Sequence, residues 1–365
     1  MHIPFCLKKC AYCDFFSDAA SPQTMDKYLE ALCAEIDSYQ RYDKILVDTI
    51  FMGGGTPTLF GAKRMAVLMM KIREVFCVAD DAEISIEMNP ATADLDLLYA
   101  LKTIGFNRIS LGVQSFIAGE LSMLGRAHNA KDAEDAILMI REVGFQNLNL
   151  DIMYAIPGQT LQSFTKTLEK ALSFSPTHLS LYSLILEEGT EFWRKRHDLP
   201  LPNEAEELAM YRESASLLRN NGYEHYEISN YAKPGYDCKH NRKYWNLSPY
   251  IGIGVSAHSF YEGVRFANDS KLKEYLENPL SLRCNCEIVT PQSLAYEYVM
   301  LGLRTKEGIC LSHYHNLCGQ SLLQGRERFV KQCIEQGYIE QNGDRICITE
   351  EGFYVSNAIL TEILA

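Results

Sequence analysis

A chain of 365 residues with 47 acidic against 35 basic side chains, a net of −12, is poorly suited to nucleic acid or an anionic membrane as its main partner. Its length and its 47% hydrophobic fraction supply a large α/β body plus an appendage. No apolar run approaches the ~20 residues of a membrane span and no signal peptide opens the sequence, so the twelve scattered cysteines read as thiols or metal ligands in a cytoplasmic protein.

In chain order, Ile3 to Phe5 reads as the end of a strand that delivers Cys6, Cys10 and Cys13 at C-x3-C-x2-C spacing. Such a loop can wrap three thiolates around one face of a cubane iron–sulfur cluster. Asp14 and Phe15 follow Cys13, so no fourth thiolate is local and one iron would keep an open position. A structural zinc would call for a nearby fourth Cys or His; none lies close downstream, and His2 falls within the strand.

Thr24 to Tyr42 reads as an amphipathic helix, with Tyr28, Leu32, Ile36 and Tyr39 three or four apart. Strand Asp48 to Met52 runs into Gly53-Gly54-Gly55-Thr56, and a helix follows to about Phe76. Strand Glu83 to Met88 is followed by a helix from Asp94 to Thr103, and strand Asn107 to Gln114 by helical stretches up to Val143. Strand Asn147 to Ile152 with helix Leu161 to Phe174, then strand His178 to Ser183, complete the series.

This alternation implies a parallel sheet with right-handed crossovers. Six units are too few for a closed eight-stranded barrel, so the expected fold is α/β, a partial, three-quarter parallel β/α barrel. Cys6, Gly53 to Thr56, Glu87, Gln114, Asp151 and Tyr182 all fall at the C-terminal ends of their strands, where parallel barrels place active sites.

The expected domains are the barrel at 1–200, an aromatic, polar extension at 201–290, and a winged-helix-like α+β module at 291–365. Leu199 to Pro202 reads as a linker, Asn203 to Asn221 as a helix, Gly337 to Thr349 as a hairpin and Glu350 to Leu364 as a closing helix. The last module carries six Lys or Arg against nine Asp or Glu, 6 − 9 = −3, which disfavours a DNA-reading role.

Glycine lacks a Cβ, so Gly53, Gly54 and Gly55 allow close backbone approach to a ligand; a tight turn explains the run equally well. Glu87 could accept from a ribose or an ammonium, and Arg126 could pair with a carboxylate; taken alone, each reads first as a solvated surface ion pair.

Together these residues resemble the radical S-adenosylmethionine (SAM) enzymes, with the three cysteines, Tyr12 and Gly53-Gly-Gly-Thr-Pro-Thr58 carrying the likeness. More narrowly, His2-Ile-Pro-Phe-Cys6, Ile109 to Phe116, Leu124-Gly-Arg-Ala-His128 and Pro157-Gly-Gln-Thr160 resemble the oxygen-independent coproporphyrinogen dehydrogenase family. The resemblance implies a [4Fe–4S] cluster on Cys6, Cys10 and Cys13, with SAM chelating the fourth iron. Tyr12, Gly53, Gly54, Gly55, Thr56, Glu87, Gln114, Arg126 and Asp151 would be the SAM contacts. It also implies a tyrosine a few residues before His2, so the natural start is expected upstream of Met1.

The dehydrogenases proper carry a further cysteine where this chain has Phe15, and His240-Asn241-Arg-Lys-Tyr244-Trp245 is similar to the H-N-x-x-Y-W motif of the family's haem-chaperone branch. His240 could ligate haem iron while Asn241, Tyr244 and Trp245 line the macrocycle; His258, His313 and His315 are weaker candidates. A packed aromatic corner is the alternative. The expected role is that of a haem chaperone with haem-accepting proteins, an electron donor for the cluster and peripheral contact with membrane haem proteins as partners. The rival expectation is oxidative decarboxylation of porphyrinogen propionates.

Overall fold

The computed structural model describes residues 1–41 and 44–365. The chain forms two compact units, each gathered from three stretches: residues 1–210, 251–259 and 266–286 in the first, and 211–250, 260–265 and 287–365 in the second.

In the first unit, strands β1 (His2–Ile3), β2 (Leu46–Gly54), β3 (Cys77–Met88), β4 (Arg108–Gln114), β5 (Asn147–Tyr154) and β6 (His178–Ser183) lie side by side in chain order, each parallel to the next. Between them run α1 (Pro22–Asp37), α2 (Ala62–Val75), α3 (Leu95–Ile104), α4 (Ala118–Leu124), α5 (Ala130–Glu142) and α6 (Leu161–Ser173). Six parallel strands in sequential order without closure are the expected partial barrel. β1 stops earlier than expected because Pro4 has no N–H to give a ladder. Ser21 caps α1 by accepting from Thr24 N–H, and Pro22 suits the first helical turn. The helix ends at Asp37; its expected end at Tyr42 lies outside the described residues.

Alternation along the strands sorts the two faces of the sheet. Ile86, Ile109, Leu111, Leu148, Leu150 and Leu179 are fully buried apolar side chains. The intervening positions are polar: Glu87 pairs with Ser110, Ser110 with Asn149 and Asn149 with His178 in one row across four strands. The fold thus gives this sheet an apolar face and a polar one. The polar face is the floor of the candidate site.

The division between units falls within α7 (Glu204–Asn220). The second unit contains a hairpin, Glu224–Glu227 with Asn230–Ala232, and helix α8 (Lys239–Trp245). Its C-terminal part runs helix (Pro291–Gly302), short strand (Ile309–Cys310), two helices (Leu311–Cys318, Glu327–Glu335) and a hairpin (Ile339–Asn342, Arg345–Ile348). The short strand pairs antiparallel with Arg345–Ile348, giving a winged-helix arrangement around Val299, Leu303, Ile309, Ile346 and Phe353.

The closing helix is two helices, Glu350–Tyr354 and Ser356–Leu364, rather than one. Val355 breaks it at φ −105°, ψ 14°. Gly352, a weak helix former, is pressed so close to the chain that a Cβ there would lie 2.1 Å from the Tyr338 carbonyl oxygen.

Candidate functional site

The cysteine loop is held at several points. Asp18 N–H donates to Pro4 O (2.7 Å) and Cys6 N–H to Asp18 O (3.1 Å), closing the loop's ends on each other. His2 Nε2 pairs with Phe16 O at 2.9 Å. Ala11 N–H donates to Leu124 O (3.2 Å), and Ala11 O accepts from Phe192 N–H (3.0 Å). Ala11 and Tyr12 pack on Leu124, Met153, Ile156 and Phe192.

Cys6, Cys10 and Cys13 are unpaired, partly exposed thiols. Cys6 Sγ lies 3.7 Å from Thr56 Oγ1, and Arg126 Nη1 donates to Cys10 Sγ at 3.6 Å. Burial pushes the Cys13 thiol up. Among the described residues no three His, Cys, Asp or Glu groups gather closely enough for a single ion. A cubane takes each thiolate on a different iron, which asks for a wider spread than one ion does. Three thiols on one short loop fit that donor set.

The glycine run is crowded by the protein itself. A Cβ on Gly53 would lie 2.8 Å from Glu87 Oε1, one on Gly54 (φ +113°) 2.3 Å from His2 Cδ2, and one on Gly55 2.7 Å from Phe5 O. The N–H groups of the run are also committed: Gly53 to Met1 O, Gly54 to Glu87 Oε2 (3.0 Å), Gly55 to Ile3 O and Thr56 to Phe5 O. A ligand contact from this run therefore falls to a carbonyl oxygen or the Thr56 hydroxyl, both suited to an ammonium.

Glu87 and Asp151 share the polar floor. Burial, then repulsion from Asp151, raises Glu87 to about 7. Burial also raises Asp151, which accepts from Asn149 Nδ2 (2.7 Å) and Ser110 Oγ (3.3 Å). Asn149 Oδ1 is 2.6 Å from His178 Nδ1, and burial with the nearby Arg108 charge holds His178 neutral. Ser110, Asn149, His178 and Arg108 were not expected from sequence as site residues. The signal was the polar residue at every second position of three successive strands.

At the rim, Gln114 sits at φ 66°, a left-handed turn at the end of β4, and accepts from Tyr182 Oη at 2.8 Å. Arg126 Nη2 donates to Gly112 O at 2.7 Å while its other nitrogen reaches Cys10. Burial raises the Tyr12 phenol, against the Arg126 charge beside it. The structure thus joins Cys6 to Thr56, Cys10 to Arg126 and Tyr12, Gly53 and Gly54 to Glu87, and Gln114 to Tyr182.

The four candidate haem contacts lie in the second unit on α8. None of its seven residues is buried. His240 Nε2 and Tyr244 Oη are 2.9 Å apart, one helical turn from each other, and Tyr244 meets Tyr250 edge-on at 4.8 Å. Asn241 and Trp245 are likewise four residues apart on the helix, each partly exposed. His258, His313 and His315 are exposed.

The radical SAM superfamily matches residues 1–171, and the HemN C-terminal domain matches residues 289–355. The heme chaperone HemW of Lactococcus lactis is 35% identical over 368 residues, spanning all of this chain and 96% of the relative. The heme chaperone HemW of Bacillus subtilis is likewise 35% identical, over all of this chain and 98% of its own. The chain belongs to the HemW family of radical SAM proteins. Coproporphyrinogen III oxidase (HemN) from Escherichia coli, a radical SAM enzyme, superposes with a TM-score of 0.85 at 25% identity, over 99% of this chain and 88% of that one. The fold expected from the sequence is thus that of HemN, and the HemW family's radical SAM region implies a [4Fe–4S] cluster and SAM.

Proposed function

We propose that this protein is a haem chaperone, binding haem through α8 and holding a [4Fe–4S] cluster with SAM in the first unit, and delivering the haem to acceptor proteins. The observation that carries the reading is α8 itself: an aromatic, histidine-bearing helix none of whose side chains is buried and whose Tyr244 is exposed. An aromatic helix of this kind is suited to a flat, partly apolar ligand. The names of the HemW relatives support the same ligand.

Cys6, Cys10 and Cys13 hold the cluster in this reading. Tyr12, Gly53 to Thr56, Glu87, Gln114, Arg126 and Asp151 surround SAM. A cluster held by these cysteines would supply one-electron reducing chemistry to SAM bound beside it. The chain's own contribution is electrostatic. Glu87 and Asp151 repel each other, a cost that a sulfonium and an ammonium relieve. Arg126 bridges the loop of Cys10 to β4 and fixes the mouth. An electron donor, haem-accepting proteins and peripheral contact with membrane haem proteins complete the set of partners.

The test is anaerobic reconstitution followed by two assays on one sample. Stoichiometric haem uptake, reduced in His240→Ala, with no conversion of coproporphyrinogen supports the chaperone. Turnover of coproporphyrinogen supports the second reading, a HemN-like enzyme, which the fold likeness favours. Cys10→Ala is expected to lose the iron–sulfur absorption band; full iron content in that variant would remove the cysteine assignment.

A further inference from the structure

Helix α1 buries Tyr28, Ala31, Leu32, Glu35 and Ile36 on one face, so a carboxylate stands in the middle of an apolar and aromatic surface. Glu35 is 2% exposed. Its oxygens accept from Gly254 N–H (2.8 Å) and Tyr275 Oη (2.5 Å) on Oε2, and from Asn268 Nδ2 (2.7 Å) on Oε1. The same Asn268 nitrogen reaches Gly254 O at 2.8 Å. Two turns earlier on the same helix, Tyr28 Oη accepts from Val255 N–H (3.0 Å) and donates to His2 O (2.9 Å). His2 N–H donates to Ile253 O at 2.9 Å.

These bonds place Ile253–Val255 along the edge of β1 that does not face β2. The approach is close enough that Gly254, at φ +107°, has no room for a Cβ: it would sit 2.6 Å from His2 O. β1 has only two residues and one strand neighbour, and an edge strand that short is weakly held. Both ends of the cysteine loop depend on it. Cys6 leaves three residues after Ile3, and the His2 ring grips Phe16 O beyond Cys13.

We propose that Glu35 is a positioning residue for the cysteine loop, fastening the Gly252–Ala257 segment over the open edge of β1 and so fixing the loop's two ends. A carboxylate is required because Gly254 N–H and Asn268 Nδ2 are obligatory donors facing its two oxygens, and an amide would turn an NH2 toward one of them. The functional consequence rests on the proposed cluster and SAM site; the fastening itself does not.

The experiment compares wild type, Glu35→Gln and the milder Tyr275→Phe. In cluster-free protein, hydrogen exchange at the amides of His2, Gly254 and Val255 is expected to speed up about tenfold in Glu35→Gln and less in Tyr275→Phe. In reconstituted protein, SAM is expected to bind about tenfold more weakly to Glu35→Gln. The electron paramagnetic resonance change that SAM produces on the reduced cluster should also differ, while haem uptake stays at the wild-type level. Unchanged exchange in both variants overturns the fastening. Faster exchange with wild-type SAM affinity and spectrum overturns the positioning role. Failure of the wild type to hold a cluster overturns the proposed site instead and leaves the exchange result readable. If Glu35→Gln does not fold, Tyr275→Phe alone decides.

Discussion

Glu87 carries the clearest electrostatic consequence of the site. Burial and repulsion from Asp151 raise its folded pKa to about 7 from an ordinary value of 4.5, so between those values the folded state holds a proton that the unfolded state has lost. The stability it contributes is present below pH 4.5 and is lost as pH rises through about 7. Ligand-free Glu87→Gln should therefore gain on wild type across that window, by up to ~3 kcal/mol, in denaturant midpoints measured at pH 5 and pH 8. In the proposed site the same linkage is expected to make SAM, a cation, bind more tightly as pH rises from 6 to 8 and release a proton. Calorimetry in buffers of differing ionisation enthalpy reads that proton, and its absence in wild type would show Glu87 already ionised. Glu87, Gln114 and Asp151 were legible in the sequence because each is a polar mark near a strand end. Arg108 and His178 were not, since each opens its strand, and only the pairing of the strands sets the Arg108 charge near Glu87 and Asp151 and the neutral His178 ring against Asn149.

At the scale of elements, the barrel strands were readable because their alternation is strong and their connections are short. The glycine run illustrates where sequence stops. Gly53-Gly54-Gly55 reads equally as a ligand cradle or a turn, and only the register of β1 on β2 reveals that His2 and Phe5 occupy the space. Gly54→Ala must accept both a left-handed backbone and a Cβ 2.3 Å from the His2 ring, so it should lower stability by at least ~1–3 kcal/mol in denaturant unfolding. An unchanged midpoint would mean that β1 is not held in this register. The final helix was misread for a related reason: Ser356 to Leu364 continues a helical pattern from Glu350, and the contact between Gly352 and Tyr338 is not local in sequence. Glu35 left a faint signal, an acid set between Leu32 and Ile36 on a face expected to be apolar.

For the whole molecule, units and sequence segments do not coincide. The first unit includes residues 251–259 and 266–286, beyond the series of strands and helices that first identifies a barrel. A fragment of residues 1–200 contains all six parallel strands yet lacks the cover of β1 and the donors to Glu35. It is expected to retain far less iron after reconstitution than the full chain, checked by iron content and near-ultraviolet circular dichroism. Full iron content would mean that the six strands suffice. Order of synthesis gives this arrangement a temporal side. The strand bearing the cysteine loop leaves the ribosome well before Gly254, Asn268 and Tyr275 do. At ~5–20 residues per second the interval is on the order of ten seconds or more. Through that interval the nascent cysteines stand on a strand with one open side, so the fastening of the loop that would hold a cluster is expected to be completed only once the segment from Gly254 to Tyr275 has emerged.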